Sequence, residues 1–227
     1  VAIQQNIKVA VDAVVFGYEA GLLKVLLIRR KRAPQKTSWA LPGGFVLDHE
    51  NLEEALHREL REETNVSINY YEQLYTYGDP KRDRRFRVVS VAYYALVRPD
   101  QFELAASTDA DEAAWFEISC LPKLEFDHSR IVADALERLR GKLVYEPIGF
   151  DLLEKTFPFA DLEALYSIVL GQAIDRRNFR KKILGLGFLD EVKQQSTGER
   201  GRPAMLYKFN KSKYFQLKKK GFHGDFW

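Results

Sequence analysis

The sequence has one cysteine, one methionine, no internal repeat and no low-complexity tract. A lone thiol, Cys120, closes no internal disulfide, so the disulfide-stapled class is excluded and a reducing compartment fits. With no basic neighbour in sequence, Cys120 is expected to be small buried filler. Long apolar runs are missing too. Asp12, Glu19 and Lys24 interrupt the N-terminal stretch, well short of the roughly 20 apolar residues that span a bilayer. No segment reads as a signal peptide, so no membrane association and a cytoplasmic location are expected. A strong net charge is also lacking, since 35 Lys+Arg against 32 Asp+Glu leave +3. What is present is a 46% apolar composition over 227 residues, enough for one large core or two ordinary ones and too much for global disorder.

The near-neutral balance conceals a division. Residues 1–150 carry 20 basic and 23 acidic side chains, whereas residues 151–227 carry 15 and 9. An acidic first part and a basic second part predict two modules with different partners. In the first, KVAVDAVVFGY and LKVLLIRRK read as strands joined through EAG as a hairpin, and FRVVSVAYYALV as a further long strand. Between them Leu52, Leu56 and Leu60 recur every four residues in a Glu-rich helix, giving one apolar stripe to lay on a sheet. SRIVADALERLRGKL repeats that design with Val132, Leu136, Leu139 and Leu143.

After VYEPIGF the order becomes helix, turn, helix, strand, loop, strand. DLEALYSIVLG places Leu162, Leu165, Tyr166 and Val169 on one face. IDRRNFRKKILG offers Asp175 as an N-cap and turns Phe179 and Ile183 inward. FLDEVKQQSTGERGRPAMLYKFN supplies two strands around a glycine-bearing loop, which is the order a winged helix-turn-helix requires. The expected modules are residues 1–145 and 146–227.

Two stretches carry chemistry. In the first, Gly44 precedes Glu50, and Arg58 precedes Glu59, Glu62 and Glu63. Positions three and four apart share a helix face, so Glu59 stands beside both Glu62 and Glu63. Three like charges repel unless they share a cation, and Mg2+ takes a few carboxylates together with substrate phosphates. Arg58 has the reach to pair with Glu50 and tie the preceding loop to the helix. The plain alternative is a solvated charged helix, against which Gly44, Arg58 and the triple-Glu geometry weigh together.

LPGGFVLDHENLEEALHRELREETNV resembles the Nudix box, the signature of hydrolases acting on nucleoside diphosphates linked to another moiety. The match spans 23 residues, with Asn65 where the family has its final glycine. Asparagine is the next-best residue at a left-handed helix terminus. The resemblance implies Mg2+ on Glu59, Glu62 and Glu63, assisted by the Gly44 carbonyl, with Glu62 and Glu63 as the catalytic pair if the chain hydrolyses. YGDPKRDRRFRVVSVAYYAL is similar to the segment that ADP-ribose-type Nudix proteins write Arg-Asp-Pro-Arg-Gly before a strand. Here Arg84 and Phe86 replace the proline and the glycine. LEFDHSR is similar to their Phe-Asp-His motif, which puts His128 near the substrate. Arg82, Arg85 and Arg87 are then candidates to neutralise a pyrophosphate, and Trp39 and Phe126 to stack a base.

The second stretch is DRRNFRKKI. Arg176, Arg177, Arg180, Lys181 and Lys182 give a cationic outer face suited to a DNA major groove, and Asn178 suits a phosphate or an adenine edge. In GERGRPAMLYKF, Arg200 and Arg202 are placed to enter a minor groove from the wing. Between Asp175 and Lys220 there are 14 basic and 4 acidic residues. Joined to a Nudix-like domain, these segments resemble the Nudix-related transcriptional regulators of the NrtR family, bacterial repressors of NAD-metabolism genes. Pro158-Phe159 departs from that family's usual Thr-Leu, at a first turn that tolerates proline.

The expected fold class is therefore α/β (α+β): a Nudix fold, with a mixed sheet between helices, followed by a C-terminal winged helix-turn-helix. The resemblance implies a homodimeric repressor on palindromic double-stranded operator DNA, released when ADP-ribose fills the Nudix pocket. An Mg2+-dependent ADP-ribose pyrophosphatase with an accessory basic domain is the alternative, and the intact carboxylates leave enzymatic turnover open.

Overall fold

A computed structural model describes residues 5–30, 38–105, 110–192 and 205–222. The chain divides into two compact units, Val1–Glu19 with Leu23–Glu137, and Ala20–Leu22 with Arg138–Trp227.

The first unit is built on a mixed seven-stranded sheet. Strands β1 (Lys8–Glu19) and β2 (Leu22–Arg30) are long apolar segments. They meet at Ala20-Gly21, both at positive φ, a turn that glycine accepts readily. Short strands follow: β3 (Trp39–Ala40) against β2, and β4 (Gly43–Phe45) against β1. Beyond helix α1 (Leu52–Thr64) come β5 (Tyr70–Tyr77), β6 (Val88–Val97) and β7 (Ala110–Glu117). The main path runs β3-β2-β1-β6-β5, and β7 pairs with β2. β1 and β6 are parallel, from Lys8 opposite Val88 to Gly17 opposite Val97.

Alternation along these strands sorts the two faces. Val11, Ala13 and Val15 with Val91, Tyr93, Ala95 and Val97 form one core with Ala55, Leu56 and Leu60 of α1. Residues of the other parity face helix α2 (His128–Leu143): Asp12 reaches His128, and the Tyr77 hydroxyl donates to Asp134. The stripes read from sequence are thus the packed faces. Cys120, expected to be filler, is exposed instead, because it lies in a short turn after β7.

The second unit holds β8 (Phe157–Pro158), α3 (Phe159–Leu170), α4 (Arg176–Gly185), β9 (Leu189–Val192), β10 (Leu206–Phe209) and α5 (Lys211–Lys219). Its sheet runs β8-β10-β9. The core is aromatic: Phe150 stacks on Phe209 with centroids 4.5 Å apart and rings 1° from parallel, and Phe157, Phe188 and Tyr214 close around them. α3 ends at Gly171 with φ +68, and Arg140 Nε donates to the freed Val169 carbonyl at 2.8 Å. Pro158, expected inside a first turn, is the extended residue that caps α3. Two elements were not legible. β8 is only two residues long, and α5 is a lysine-rich helix that buries Tyr214, started by Asn210, whose side chain accepts from Lys213 N. Among the described residues no helix is long and apolar enough to cross a membrane.

Candidate functional site

The first candidate site grows from the Gly43-Gly44 pair of β4. A Cβ on Gly43, which sits at φ +152, would lie 2.1 Å from the Val11 carbonyl oxygen. One on Gly44 would lie 2.1 Å from Glu59 Oε1. Gly43 must be glycine for β4 to press against the β1 backbone, whereas a side chain at Gly44 would displace the Glu59 carboxylate. α1 starts on a reciprocal capping box, Asn51 with Glu54, and ends at Asn65 in the left-handed conformation (φ 60, ψ 20), as the substitution for glycine requires.

Arg58 organises the carboxylates. It clasps Glu50 with Nη2–Oε1 at 2.6 Å and Nε–Oε2 at 2.9 Å, and donates to the Phe45 carbonyl at 3.1 Å. Its Nη1 donates to Glu59 Oε1 at 2.8 Å and lies 3.4 Å from Glu62 Oε2. The Arg58 hydrogen bonds hold Glu50 down at about 2, despite an opposing desolvation. For Glu59 burial wins and pushes its carboxyl up, even with Arg58 beside it. Glu63 is buried and turned elsewhere, its Oε2 accepting the Gly43 N–H at 2.8 Å.

Of the three carboxylates expected on one face, Glu59 and Glu62 share Arg58 Nη1, whereas Glu63 reaches the Gly43 N–H. Glu59 and Glu63 line the cavity, whereas Glu62 is not among the lining residues and its side chain is 55% exposed. Among the described residues no three His, Cys, Asp or Glu side chains are placed together as a metal cage. The donor chemistry still suits a hard cation. Oxygens of Glu59 and Glu62 both approach the single cationic nitrogen Arg58 Nη1, so these carboxylates can share one positive charge, and carboxylate oxygens are the ligands a hard divalent ion takes.

Opposite α1 lies a buried polar network that sequence reading missed. Asp12, the single charge within β1's apolar run, is 7% exposed. Its Oδ2 accepts from Ser90 Oγ at 2.5 Å and Arg82 Nη2 at 3.0 Å, and its Oδ1 lies 3.4 Å from His128 Nε2. Burial would raise the Asp12 carboxyl, but His128, Arg82 and Ser90 together hold it well below the usual range. The Leu41 N–H donates to His128 Nδ1 at 2.9 Å, which leaves the ring proton on Nε2, facing Asp12. A charge inside an apolar strand was the available signal for Asp12.

The expected ligand residues separate on this frame. Arg82 also forks onto Asp127, at 3.1 and 2.8 Å, and its side chain is 5% exposed. Arg85 pairs with buried Asp83 through Nε at 3.1 Å and Nη2 at 2.8 Å, so both arginines already have carboxylates. Arg87 turns away to the Gly78 and Val88 carbonyls. Trp39 packs edge-on against Phe116 with centroids 4.5 Å apart and is not among the cavity-lining residues. Phe126, at φ +50, lies 5.2 Å from the His128 ring and lines the cavity. That cavity measures about 440 Å³ and brings together Gly44, Glu59, Glu63, Arg82, Arg85 and His128. Its size is that of a small-molecule pocket.

The second candidate surface is α4. Asp175 caps it, accepting the Asn178 N–H at 3.1 Å, while Phe179 and Ile183 are buried beneath. Arg176, Arg177 and Lys181 are exposed, and Lys182 is half-buried. Asn178 Nδ2 is drawn back to Asp175 Oδ2 at 2.7 Å. Arg180, expected to face DNA, is exposed and also contacts its own domain. Its guanidinium lies 4.5 Å from the Phe159 ring centroid and donates to the Tyr207 hydroxyl at 3.0 Å. Arg200 and Arg202 lie outside the described residues.

Comparison with known proteins matches residues 6–135 to the NUDIX domain and residues 149–209 to the NrtR DNA-binding winged helix domain. A curated relative from Acinetobacter baylyi, an ADPR responsive transcriptional repressor NtrR, is 34% identical over 203 residues, covering 88% of this chain and 80% of its own. The crystal structure of Shewanella oneidensis NrtR with a 27mer DNA superposes with a TM-score of 0.78 at 34% identity, covering 90% of this chain and 94% of that one. The NUDIX domain of the same Shewanella protein, solved with ADP ribose, matches with a TM-score of 0.56 at 36% identity, over 60% of this chain and 90% of that one.

Proposed function

The chain belongs to the NrtR family of Nudix-related transcriptional regulators, and we propose on that footing that it is an ADP-ribose-responsive repressor that releases operator DNA when its Nudix cavity fills. The observation that carries this reading is the joining in one chain of a nucleotide-sized cavity, walled by Arg82, Arg85 and Phe126, to a domain whose helix α4 exposes Arg176, Arg177 and Lys181. ADP-ribose shifts the equilibrium only if it binds the DNA-incompetent form more tightly than the operator-bound form. Residues Glu59, Glu62 and Glu63 with the Gly44 carbonyl would hold Mg2+, which supplies countercharge to a bound pyrophosphate. Arg82, Arg85 and His128 shape the opposite wall of the cavity, and Phe126 offers a face to a base or ribose. The protein would bind its operator as a homodimer, each copy presenting one α4 to a half-site.

The test is fluorescence anisotropy on an operator duplex selected from a random pool, titrated with ADP-ribose. Release at saturating ADP-ribose is expected. Unchanged anisotropy sinks the reading.

A second reading is favoured by Glu59 and Glu63 lining the cavity: the same pocket also hydrolyses ADP-ribose. Desolvation raises the carboxyl of half-buried Glu59, so its ionised form accepts a proton more readily than an ordinary carboxylate. Wild-type protein with Mg2+ should then convert ADP-ribose to AMP and ribose phosphate, and Glu63→Gln should not. Absence of turnover by the wild type removes hydrolysis and leaves the sensor intact.

A further inference from the structure

Beside the nucleotide cavity lies a second cleft of about 630 Å³, and the two share Arg82, Asp83, Arg85 and Phe126 as a common wall. Their charges differ in sign. Four carboxylates, Asp12, Glu59, Glu63 and Asp83, outnumber three arginines around the first cavity. Around the second, six cationic side chains face four carboxylates. The shared arginines add little free charge, since Arg82 is held by Asp12 and Asp127, and Arg85 by Asp83. Arg130 leans toward Asp134 at 3.7 Å. The remaining cations are Lys81, Arg84 and Lys123, all exposed, and among the described residues their side chains have neither an ion pair nor a hydrogen bond. The remaining carboxylates are Asp79, which accepts the Lys81 backbone N–H at 2.7 Å, and Glu125, whose charge acts on Arg85.

We propose that this second cleft is a phosphoryl-binding subsite of the effector site, formed by Lys81, Arg84 and Lys123. The inference rests on the sensor reading and says where the ligand's anionic charge goes. An acidic first cavity repels phosphate unless a cation accompanies it, whereas the adjoining cleft holds uncommitted cations around the same wall residues, Arg85 and Phe126. A ligand seated on Phe126 therefore extends a phosphoryl group past Arg85 into the basic cleft. Arg84 stands where the resembling segment has proline, so this chain carries a cation there that the shared motif does not supply. Two sources have the required chemistry: the pyrophosphate of ADP-ribose, and a phosphate ester on one of its riboses.

The experiment is isothermal titration calorimetry of the full chain in metal-free buffer, with ADP-ribose, ADP-ribose 2'-phosphate, adenosine and inorganic pyrophosphate. Arg84→Ala and Lys123→Ala should each weaken every phosphorylated ligand that occupies the cleft by about tenfold, the usual loss for one charge-assisted contact. Adenosine should bind both variants as it binds the wild type, and Arg84→Lys should recover most of the loss. If the cleft takes the ester phosphate, the 2'-phosphate binds the wild type more tightly and the variants erase that preference. If it takes the pyrophosphate, the variants weaken both nucleotides alike. Wild-type affinities in both variants for all phosphorylated ligands overturn the subsite. Should wild-type protein fail to bind ADP-ribose both in this buffer and with Mg2+ added, the sensor reading falls, and the inorganic pyrophosphate titration still decides the cleft: binding lost in Arg84→Ala supports it, and no binding overturns it.

Discussion

Arg58 donates to Glu50, to Glu59 and to the Phe45 carbonyl at once, so the loop leading into α1 is fastened by a single guanidinium. Its fork onto Glu50 makes that tie pH-dependent. Glu50 titrates at about 2 in the fold against an ordinary 4.5, so the tie is complete above pH 4.5 and is lost as pH falls toward 2. Wild type should therefore be more stable than Glu50→Gln at neutral pH, and urea denaturation should show the gap closing across that acidic window. A constant gap from neutral pH down to pH 2 would show that Glu50 acts by packing. The Tyr166 hydroxyl is the opposite case. Among the described residues it is a buried side-chain oxygen with no hydrogen-bond partner. Tyr166→Phe should therefore be neutral or stabilising by up to about 1 kcal/mol, read as a raised Tm. A clear loss of stability would mean that the hydroxyl is bonded in solution.

Helix α4 was read with one face for the core and one for DNA, and the capping Asp175 and buried Phe179 and Ile183 follow that reading. Periodicity says which way a side chain leaves the helix, and it is silent on what a long side chain then finds. Arg180 finds Phe159 and Tyr207, residues distant in sequence, and so fastens α4 to β10. Arg180→Ala should cost about 1–2 kcal/mol of stability from the lost cation–π and hydrogen-bond contacts. Operator affinity should fall with it. An unchanged Tm with weakened DNA binding would show that Arg180 acts at the DNA and not within the fold. The same limit explains the ligand cavity. The glycine pair, Arg58 and the Glu positions were legible because each lies within a short, fixed spacing. The Asp12–Arg82–Asp127 network joins three separate elements, and its partners become visible only when β1, the β5–β6 connection and the start of α2 meet.

For the whole molecule, the charge division along the chain assigns electrostatics to one end. Fourteen basic against four acidic residues between Asp175 and Lys220 imply operator binding that weakens steeply with salt. A log–log plot of affinity against salt concentration should be strongly negative, and Arg176→Ala or Lys181→Ala should flatten it by about one contact each. A slope near zero would remove phosphate contacts from the account. The first unit's cavity answers to different rules, since its charges are largely paired and buried.

Helix α2 starts at the cavity with His128, and the division between the two units falls inside it, after Glu137. That has a consequence for anyone dissecting the protein. A chain stopped at the division ends in mid-helix, leaving the carbonyls of its last turn without donors and cutting away Leu139 and Leu143, both fully buried in the intact protein. Fragments carrying α2 whole, ending after Leu143 or beginning before His128, should give more helical circular dichroism and resist protease longer than fragments cut at Glu137. The seam between the two compact units is thus a poor place to part the polypeptide.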